Sequence, residues 1–330
     1  MTLSSNTRPS YLELHRSGAL KRRSEALLKL LEECRLCPRH CRSRRLTGGK
    51  GACLTGRWAE VASWCIHQGE EPCISGKCGS GTVFFAHCNL SCLFCQNHEI
   101  SQEWPEGKNE IKPDELADVF IELQAAGAHN INWVSPSHVV PQAVEALEIA
   151  AEQGLSIPIV YNSNGYDSVE TLRLLDGIVD IYMPDLKYAS NKNANDLSAA
   201  LGYVENSRAA IGEMWRQTGP LEFDGEGVAE RGLLVRHLVL PGDLARTREV
   251  LVFLARLPGG PPALSLMAQY HPSFKAVDHP LLNRPLEAAE YEDALSALEE
   301  LKIESGYVQQ LDSSSAFLPD FHHPGNPFEA

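Results

Sequence analysis

Three closely spaced cysteines are the residues of this chain best suited to carry chemistry. Cys88, Cys92 and Cys95 have C-x3-C-x2-C spacing, with the aromatic Phe94 just before the third thiol. Such a loop can place three thiolates on three irons of a [4Fe–4S] cube and leave the fourth iron open. An open iron can chelate S-adenosylmethionine (SAM) and pass it the electron that releases a 5′-deoxyadenosyl radical. A zinc knuckle and a set of buried thiols remain alternatives for so short a motif.

A second group of four cysteines precedes this loop. Cys34, Cys37, Cys41 and Cys53 have C-x2-C-x3-C-x11-C spacing, and glycines between them let the backbone turn closely around a metal. Zinc would accept them as a closed tetrahedral site, and a second iron–sulfur cluster would accept them too. A zinc site would be structural, whereas a cluster would relay electrons or lie near the substrate. Three further cysteines, at positions 65, 73 and 78, follow no recognisable ligand spacing.

The pattern beyond the cysteine loop predicts the elements that position these groups. Strand-like segments near 82–87, 130–134, 157–162, 178–183, 233–240 and 263–269 alternate with helical segments near 113–126, 139–153, 168–175, 206–217, 246–256 and 287–305. This alternation predicts an α/β fold with a parallel sheet, a partial (β/α)6 TIM-like barrel. We expect a helical, Cys-rich region over 1–78 that contains one amphipathic helix over 10–33, the barrel over 79–308, and a tail over 309–330 lying across the barrel. A metal pair at His322 and His323 is a less favoured interpretation of that tail.

Polar residues follow the predicted strands, where parallel sheets gather their chemistry. Ser135 follows the second strand, Asn162 and Asn164 the third, and Asp185 and Lys187 the fourth. The fifth strand carries Arg236 and His237, which suggests groups buried with partners or facing a pocket, and the sixth ends near His271. These positions could contact the methionine, ribose or carboxylate parts of SAM. Helix capping, ordinary loop structure and a surface salt bridge are the alternatives.

Five segments in order, CNLSCLFCQN, YNSNGY, YMPDLKY, VRHLVLPG and MAQYHP, resemble the radical SAM superfamily. The resemblance is to its activating-enzyme branch, similar to pyruvate formate-lyase activating enzyme, and the Cys-rich start with GEEPCISG resembles the PflX-type subgroup. It implies that Cys88, Cys92 and Cys95 bind the cluster, that Phe94 lies by the adenine, and that Asn162, Asn164, Asp185, Lys187 and His271 approach SAM. Ser135 stands where such enzymes have a Gly-Gly-Glu type motif. The sequence departs from the family pattern there.

Charge and hydropathy restrict the partners. The 330-residue chain carries a net charge of −14, yet its first 57 residues hold 13 Lys/Arg against 4 Asp/Glu. The acidic remainder argues against nonspecific nucleic-acid binding by the main domain. Neither a long apolar run nor a secretory signal is present, and cysteine-rich chains of this kind are typical of a reducing cytoplasm, so no membrane partner is expected.

The expected activity is therefore a radical SAM reaction that removes a hydrogen atom from a substrate. The resemblance implies a glycyl-radical enzyme as protein substrate and an electron donor such as flavodoxin or ferredoxin. A ribosomal peptide, an RNA or a small molecule is an alternative substrate. A non-enzymatic iron–sulfur carrier or a zinc-built interaction protein is the remaining alternative. We expect the side chains to orient the reactants and exclude water, and assign none of them the chemical step itself.

Overall fold

The computed structural model describes residues 8–311, 319–321 and 326–328 of the chain. His322, His323 and most of the predicted tail lie outside these ranges. Of the part that is described, Phe321 and Phe328 pack against Phe84, with ring centroids 5.4 and 6.1 Å away. No helix in the described ranges is long and apolar enough to span a membrane.

The strands of the described residues are short and mostly buried. They are β1 (Ala59–His67), β2 (Ser80–Phe85), β3 (Glu110–Ile111), β4 (Ile131–Val134), β5 (Ile159–Asn162), β6 (Ile181–Tyr182), β7 (Glu222–Phe223), β8 (Ala229–Leu238), β9 (Ala263–Met267) and β10 (Gly306–Val308).

Helices alternate with these strands along most of the chain. They are α1 (Tyr11–Arg16), α2 (Ala19–Lys29), α3 (Pro72–Ser75), α4 (His98–Ser101), α5 (Pro113–Ala125), α6 (Val140–Glu152), α7 (Val169–Leu174), α8 (Asn191–Ser198), α9 (Tyr203–Thr218), α10 (Thr247–Ala255) and α11 (Ala288–Glu300). Short 3-10 turns cover Arg45–Thr47, Pro136–His138, Pro241–Asp243 and Phe274–Asp278.

The strands form one sheet in the order β10-β9-β8-β6-β5-β4-β2-β1-β3, with β7 added to β8. Every neighbouring pair from β2 to β10 along this path is parallel. The edge strands β3 and β10 do not pair with each other, so the sheet is open. Residues from β1 through β10 nevertheless face one cavity, which requires the sheet to curve around it. The α/β fold and the partial barrel are confirmed.

The six parallel strands expected from the sequence are all present, and β10 adds a seventh short one. The sequence did not predict β1, which runs antiparallel to β2 and places residues before position 78 in the same sheet. The domain boundaries after residues 78 and 308 stay predictions.

The single helix expected over 10–33 is wrong. The chain breaks into α1 and α2 because Gly18 adopts a left-handed backbone with φ of 68°. Glycine reaches this region without the penalty that a Cβ imposes. Leu20 and Leu27 of α2 are fully buried, so the amphipathic pattern correctly predicted which of these side chains pack in the core.

Candidate active site

One large cavity lies inside the curved sheet. Its volume is about 560 Å³, and strand ends and the cysteine loop form its wall. The predicted cofactor-binding residues and the three cysteines of the loop all line it: Phe94, Ser135, Asn162, Asn164, Asp185, Lys187, His271, Cys88, Cys92 and Cys95. The chain thus brings together groups that are up to 183 positions apart in its numbering, from Cys88 to His271.

The cysteine loop begins where buried β2 ends. His87 adopts a left-handed backbone with φ of 67° and turns the chain out of the strand. The backbone N–H groups of Ser91 and Leu93 donate to the carbonyls of Ser198 and Leu197, at 3.0 and 2.8 Å. These bonds fix the loop against the end of α8, a helix that the sequence pattern missed.

Each thiol of the loop has a polar neighbour. Ser198 Oγ donates to Cys92 Sγ at 3.1 Å, and Asn164 Nδ2 donates to Cys88 Sγ at 3.3 Å. Cys95 Sγ lies 3.2 Å from Ser101 Oγ. Hydrogen bonds to sulfur stabilise negative charge there, so the surroundings suit thiolates.

Burial opposes that charge while the thiols are free. It raises the pKa of Cys88 to about 12 and that of Cys95 to about 11, and the neighbouring Cys92 adds to both shifts. Burial also raises the pKa of Cys92, although the ammonium of Lys187 acts in the opposite direction. Metal binding must therefore displace protons from these thiols, as is usual for cysteine ligands.

The donor set fits a [4Fe–4S] cube. Three soft thiols approach the cavity from one loop, and the cavity leaves room for a ligand at a fourth iron. In the described part of the chain, no three His, Cys, Asp or Glu side chains are grouped around the position of a single metal ion. A [4Fe–4S] cube does not require three ligands around one metal ion, because each thiolate binds its own iron.

A charged network continues from the loop into the cavity. Lys187 Nζ donates to Asp185 Oδ2 at 2.5 Å, and the other Asp185 oxygen lies 3.6 Å from Arg236 Nε. Burial acts to lower the pKa of Lys187, but the Asp185 carboxylate together with Cys92 and Cys95 outweighs it and the pKa is raised. Lys187 therefore stays charged next to the cysteines.

The remaining predicted residues lie around this network. Ser135 has a left-handed backbone with φ of 56°, and its N–H donates to the carbonyl of Asn162 at 2.8 Å. Phe94 is 6% exposed and packs edge-on against Tyr270, with the ring centroids 6.0 Å apart. His237, expected to be buried or to face a pocket, is fully buried and bonds to the carbonyl of Leu186 at 2.6 Å.

Sequence reasoning missed Glu70 and Glu71 as site residues. Both line the cavity and lie near Arg236, with closest approaches of 3.0 and 3.7 Å. No local signal in the sequence of β1 indicates the antiparallel pairing that returns this segment to the sheet. His67, at the end of β1, also lines the cavity, and burial followed by the charge of Arg236 lowers its pKa to about 4.

The four N-terminal cysteines line a separate small cavity. Asn89 forms part of its wall, and its side chain hydrogen bonds Cys37. The same Asn89 side chain accepts from Asn164 Nδ2 at 2.7 Å, next to Cys88. One buried residue therefore separates the two groups of cysteines.

Arg45 is the fully buried charged group of this second cavity. Its side chain is fully buried and donates to the carbonyls of Gly56 and His138, at 2.9 and 2.8 Å. A third contact joins Nη1 to Cys34 Sγ at 3.8 Å, whereas Nη2 has no hydrogen-bond partner within the described ranges. Burial lowers the pKa of His138 to about 3, so this imidazole is neutral at neutral pH, and the second cation of the cavity wall is the half-buried Arg39.

Three known proteins are similar to this chain over most of its length. MJ0674 of Methanocaldococcus jannaschii, described only as an uncharacterized protein, is 29% identical over 302 residues, which cover 90% of this chain and 83% of that protein. The structure of HydG, a maturase of the [FeFe]-hydrogenase, gives a TM-score of 0.47 at 10% identity over 88% of this chain and 56% of HydG. Methylornithine synthase (PylB) gives a TM-score of 0.46 at 12% identity over 96% of this chain and 84% of its own.

The family comparison matches the part of the chain that holds the cysteine loop. A model described as the radical SAM superfamily matches residues 82–213. This range includes Cys88, Cys92 and Cys95 and the polar ends of the strands that follow. Residues 82–213 are therefore similar to the radical SAM superfamily.

Proposed function

We propose that this chain is a radical SAM enzyme with its cluster on Cys88, Cys92 and Cys95 and its SAM site in the central cavity. The observation that carries the proposal is that the three thiols and the predicted SAM-binding side chains all face that one cavity. When bound, the cluster supplies the electron that cleaves SAM to methionine and a 5′-deoxyadenosyl radical for hydrogen abstraction. The test is anaerobic formation of 5′-deoxyadenosine by the reconstituted protein.

The chain's own residues bind and orient in this account. Lys187 and Asp185, already paired, suit the carboxylate and ammonium of the methionine part of SAM. Phe94 offers an aromatic surface near the adenine, and Asn162 offers an amide to the ribose or carboxylate. The depth of the cavity limits access of water to the radical.

Asn164 has a measurable role in this proposal, because its amide donates to Cys88 Sγ. A hydrogen bond to a ligand sulfur favours the more negative, reduced cluster and raises its reduction potential. We expect Asn164→Leu to shift the potential to a more negative value, measured by a redox titration followed by EPR. Asn195→Leu, at an exposed position of α8, is the matched control and should leave the potential unchanged. A potential in Asn164→Leu equal to that of the control would contradict the role.

The order of the five motifs supports a narrower candidate for the substrate, a glycine Cα of a glycyl-radical enzyme. In that reaction the chain would act as an activating enzyme in the cytoplasm, with an electron donor of the flavodoxin or ferredoxin class. A glycyl-radical enzyme encoded near this gene, and a glycyl EPR signal on that partner after incubation with SAM and reductant, would support it. If the genome encodes no such partner, a peptide, an RNA or a small molecule becomes the better candidate.

We further propose that Cys34, Cys37, Cys41 and Cys53 hold a second metal centre as thiolates. Arg45 carries the argument, since a fully buried guanidinium needs a negative partner. No carboxylate in the described part of the chain lies within ion-pair distance of it, and the nearest group able to carry negative charge is Cys34. Four metal-bound thiolates would supply that charge, whether the metal is zinc or iron.

The effect of replacing Arg45 on stability is expected to depend on whether the second metal centre is loaded. In the metal-loaded protein, Arg45→Met should lower the free energy of unfolding by about 3 kcal/mol, because it leaves the thiolate centre uncompensated. In protein stripped of metal the same substitution should be neutral or stabilising, because it removes an unpaired buried charge. Urea unfolding of both forms measures this, with the exposed Arg44→Met as control. An equal loss in the free energy of unfolding of the metal-loaded and metal-free proteins would contradict the second centre. Metal and sulfide analysis distinguishes zinc from an iron–sulfur cluster.

A further inference from the structure

The end of the cavity away from the cysteine loop has its own charged groups. Because β1 runs antiparallel to β2, His67 pairs with Ser80 at the start of β2, whereas the cysteine loop follows the end of β2. The segment after His67 therefore enters the cavity from the opposite side. We call Glu70, Glu71 and Arg236 the acidic floor of the cavity.

Both carboxylate oxygens of Glu70 accept hydrogen bonds from other side chains. One carboxylate oxygen accepts from the amides of Asn132 and Asn162, at 2.8 and 3.3 Å, and the other accepts from Arg236 Nη1 at 3.0 Å. Burial raises the pKa of Glu70 and the carboxylates of Glu71 and Asp185 act in the same direction, whereas Arg236 and the Asn132 amide favour its ionised form. Its role within the floor is structural.

The carboxylate of Glu71 is less well satisfied than that of Glu70. Its side chain is 9% exposed, and one oxygen lies 3.7 Å from Arg236 Nε. The other oxygen is buried in the cavity wall and has no hydrogen-bond partner among the described residues. An ionised oxygen without a partner is costly to bury, which indicates that a donor from outside the described residues meets it.

The charges around the floor identify the kind of donor. Among the residues that the structure describes, the carboxylates of Glu70, Glu71 and Asp185 pair with two cations, Arg236 and Lys187, and His67 is neutral at neutral pH. SAM carries one net positive charge, and an oxidised [4Fe–4S] cube on three thiolates carries one net negative charge. Those two offset each other, so the excess negative charge of the wall remains.

We propose that the acidic floor binds a cationic group of the substrate, a primary ammonium on an extended chain, through the free oxygen of Glu71. The assignment rests on the proposed function for the position of SAM, which would occupy the cysteine end of the cavity. The substrate then extends from the floor toward SAM, and the hydrogen to be abstracted lies between its ammonium group and the cysteine loop.

The test is a calorimetric titration of the reconstituted full chain with n-pentylammonium, with and without saturating SAM and with the cluster oxidised. The neutral probe is 1-pentanol and the anionic probe is pentanoate. We expect n-pentylammonium to bind with a Kd on the order of 1 mM in the presence of SAM, and the other two probes not to bind. In Glu71→Gln the Kd should rise at least about tenfold, whereas the exposed Glu222→Gln should behave as wild type.

The outcomes separate this assignment from the proposed function. Loss of n-pentylammonium binding when SAM is added, or a raised Kd for SAM in Glu71→Gln, would overturn it, because the floor would then serve SAM. Equal affinity of wild type and Glu71→Gln for n-pentylammonium would also overturn it. Failure of the wild type to bind SAM would refute the proposed function, while the titration without SAM still reports on the floor. A thermal melt of Glu71→Gln at or above the wild-type temperature shows that the variant is folded.

Discussion

Cys92→Ala is expected to abolish SAM cleavage, reducing 5′-deoxyadenosine to the background of the assay. Cys92 is the middle ligand of the loop and the one that Ser198 Oγ contacts at 3.1 Å. Its loss leaves one iron of the cube without a protein ligand, and iron–sulfur clusters depend on cysteine thiolates to hold them. We expect the variant to lose the iron and sulfide of this centre together with its visible absorbance.

A second cysteine variant controls for general damage to the protein. Cys78 is exposed and lines neither cavity, so Cys78→Ala should keep both iron content and activity. Full SAM cleavage by Cys92→Ala would contradict the assignment of the loop, and equal losses in both variants would point to misfolding instead.

Arg236→Met is expected to produce the largest change in stability. The side chain of Arg236 is 18% exposed and lies between Glu70, Glu71 and Asp185, at 3.0, 3.7 and 3.6 Å. Removing one partner of a buried ion pair typically costs 3–5 kcal/mol, because it leaves uncompensated charge behind. Here several carboxylates lose their shared cation, so we expect a loss of about 4 kcal/mol in the free energy of unfolding, measured in urea.

An exposed arginine provides the control for that measurement. Arg248 pairs with Glu300 at 2.6 Å, but both side chains are more than half exposed. Arg248→Met should therefore cost less than about 1 kcal/mol. Adding Glu70→Gln and Glu71→Gln to Arg236→Met should restore part of the loss. A cost for Arg236→Met as small as that of the control would contradict the charged network.

Local patterns in the sequence sufficed to predict most of the barrel. Short apolar segments separated by helical ones identified the parallel strands from β2 to β9, because buried parallel strands consist of continuous apolar residues. Position at the ends of those strands then selected Asn162, Asn164, Asp185 and Lys187. Their convergence on one cavity follows from the topology of a parallel sheet, which brings carboxyl ends of strands to one edge.

What the sequence could not predict depends on pairing over long distances. β1 joins the sheet by antiparallel pairing with β2, and this register carries Glu70 and Glu71 into the cavity. The local sequence of residues 59–71 does not indicate which strand β1 will pair with. The break at Gly18 was missed for a different reason, since a lone glycine within a helical pattern is often tolerated.

The site formed by the N-terminal cysteines could be predicted only in part. Their spacing predicted a common ligand set, and the structure places all four around one cavity. The contact through Asn89 to the cysteine loop, and the buried Arg45, depend on tertiary packing alone. These two contacts, rather than the spacing, make the region chemically informative.

The measurement that tests the account most directly is a single anaerobic incubation. The wild-type protein is reconstituted with iron and sulfide, its cluster is reduced with dithionite, SAM is added, and 5′-deoxyadenosine and methionine are quantified. The account predicts both products in equal amounts, and neither with Cys92→Ala. A protein with a fully loaded, reducible cluster that binds SAM and forms neither product, with or without candidate substrates, would contradict the central claim.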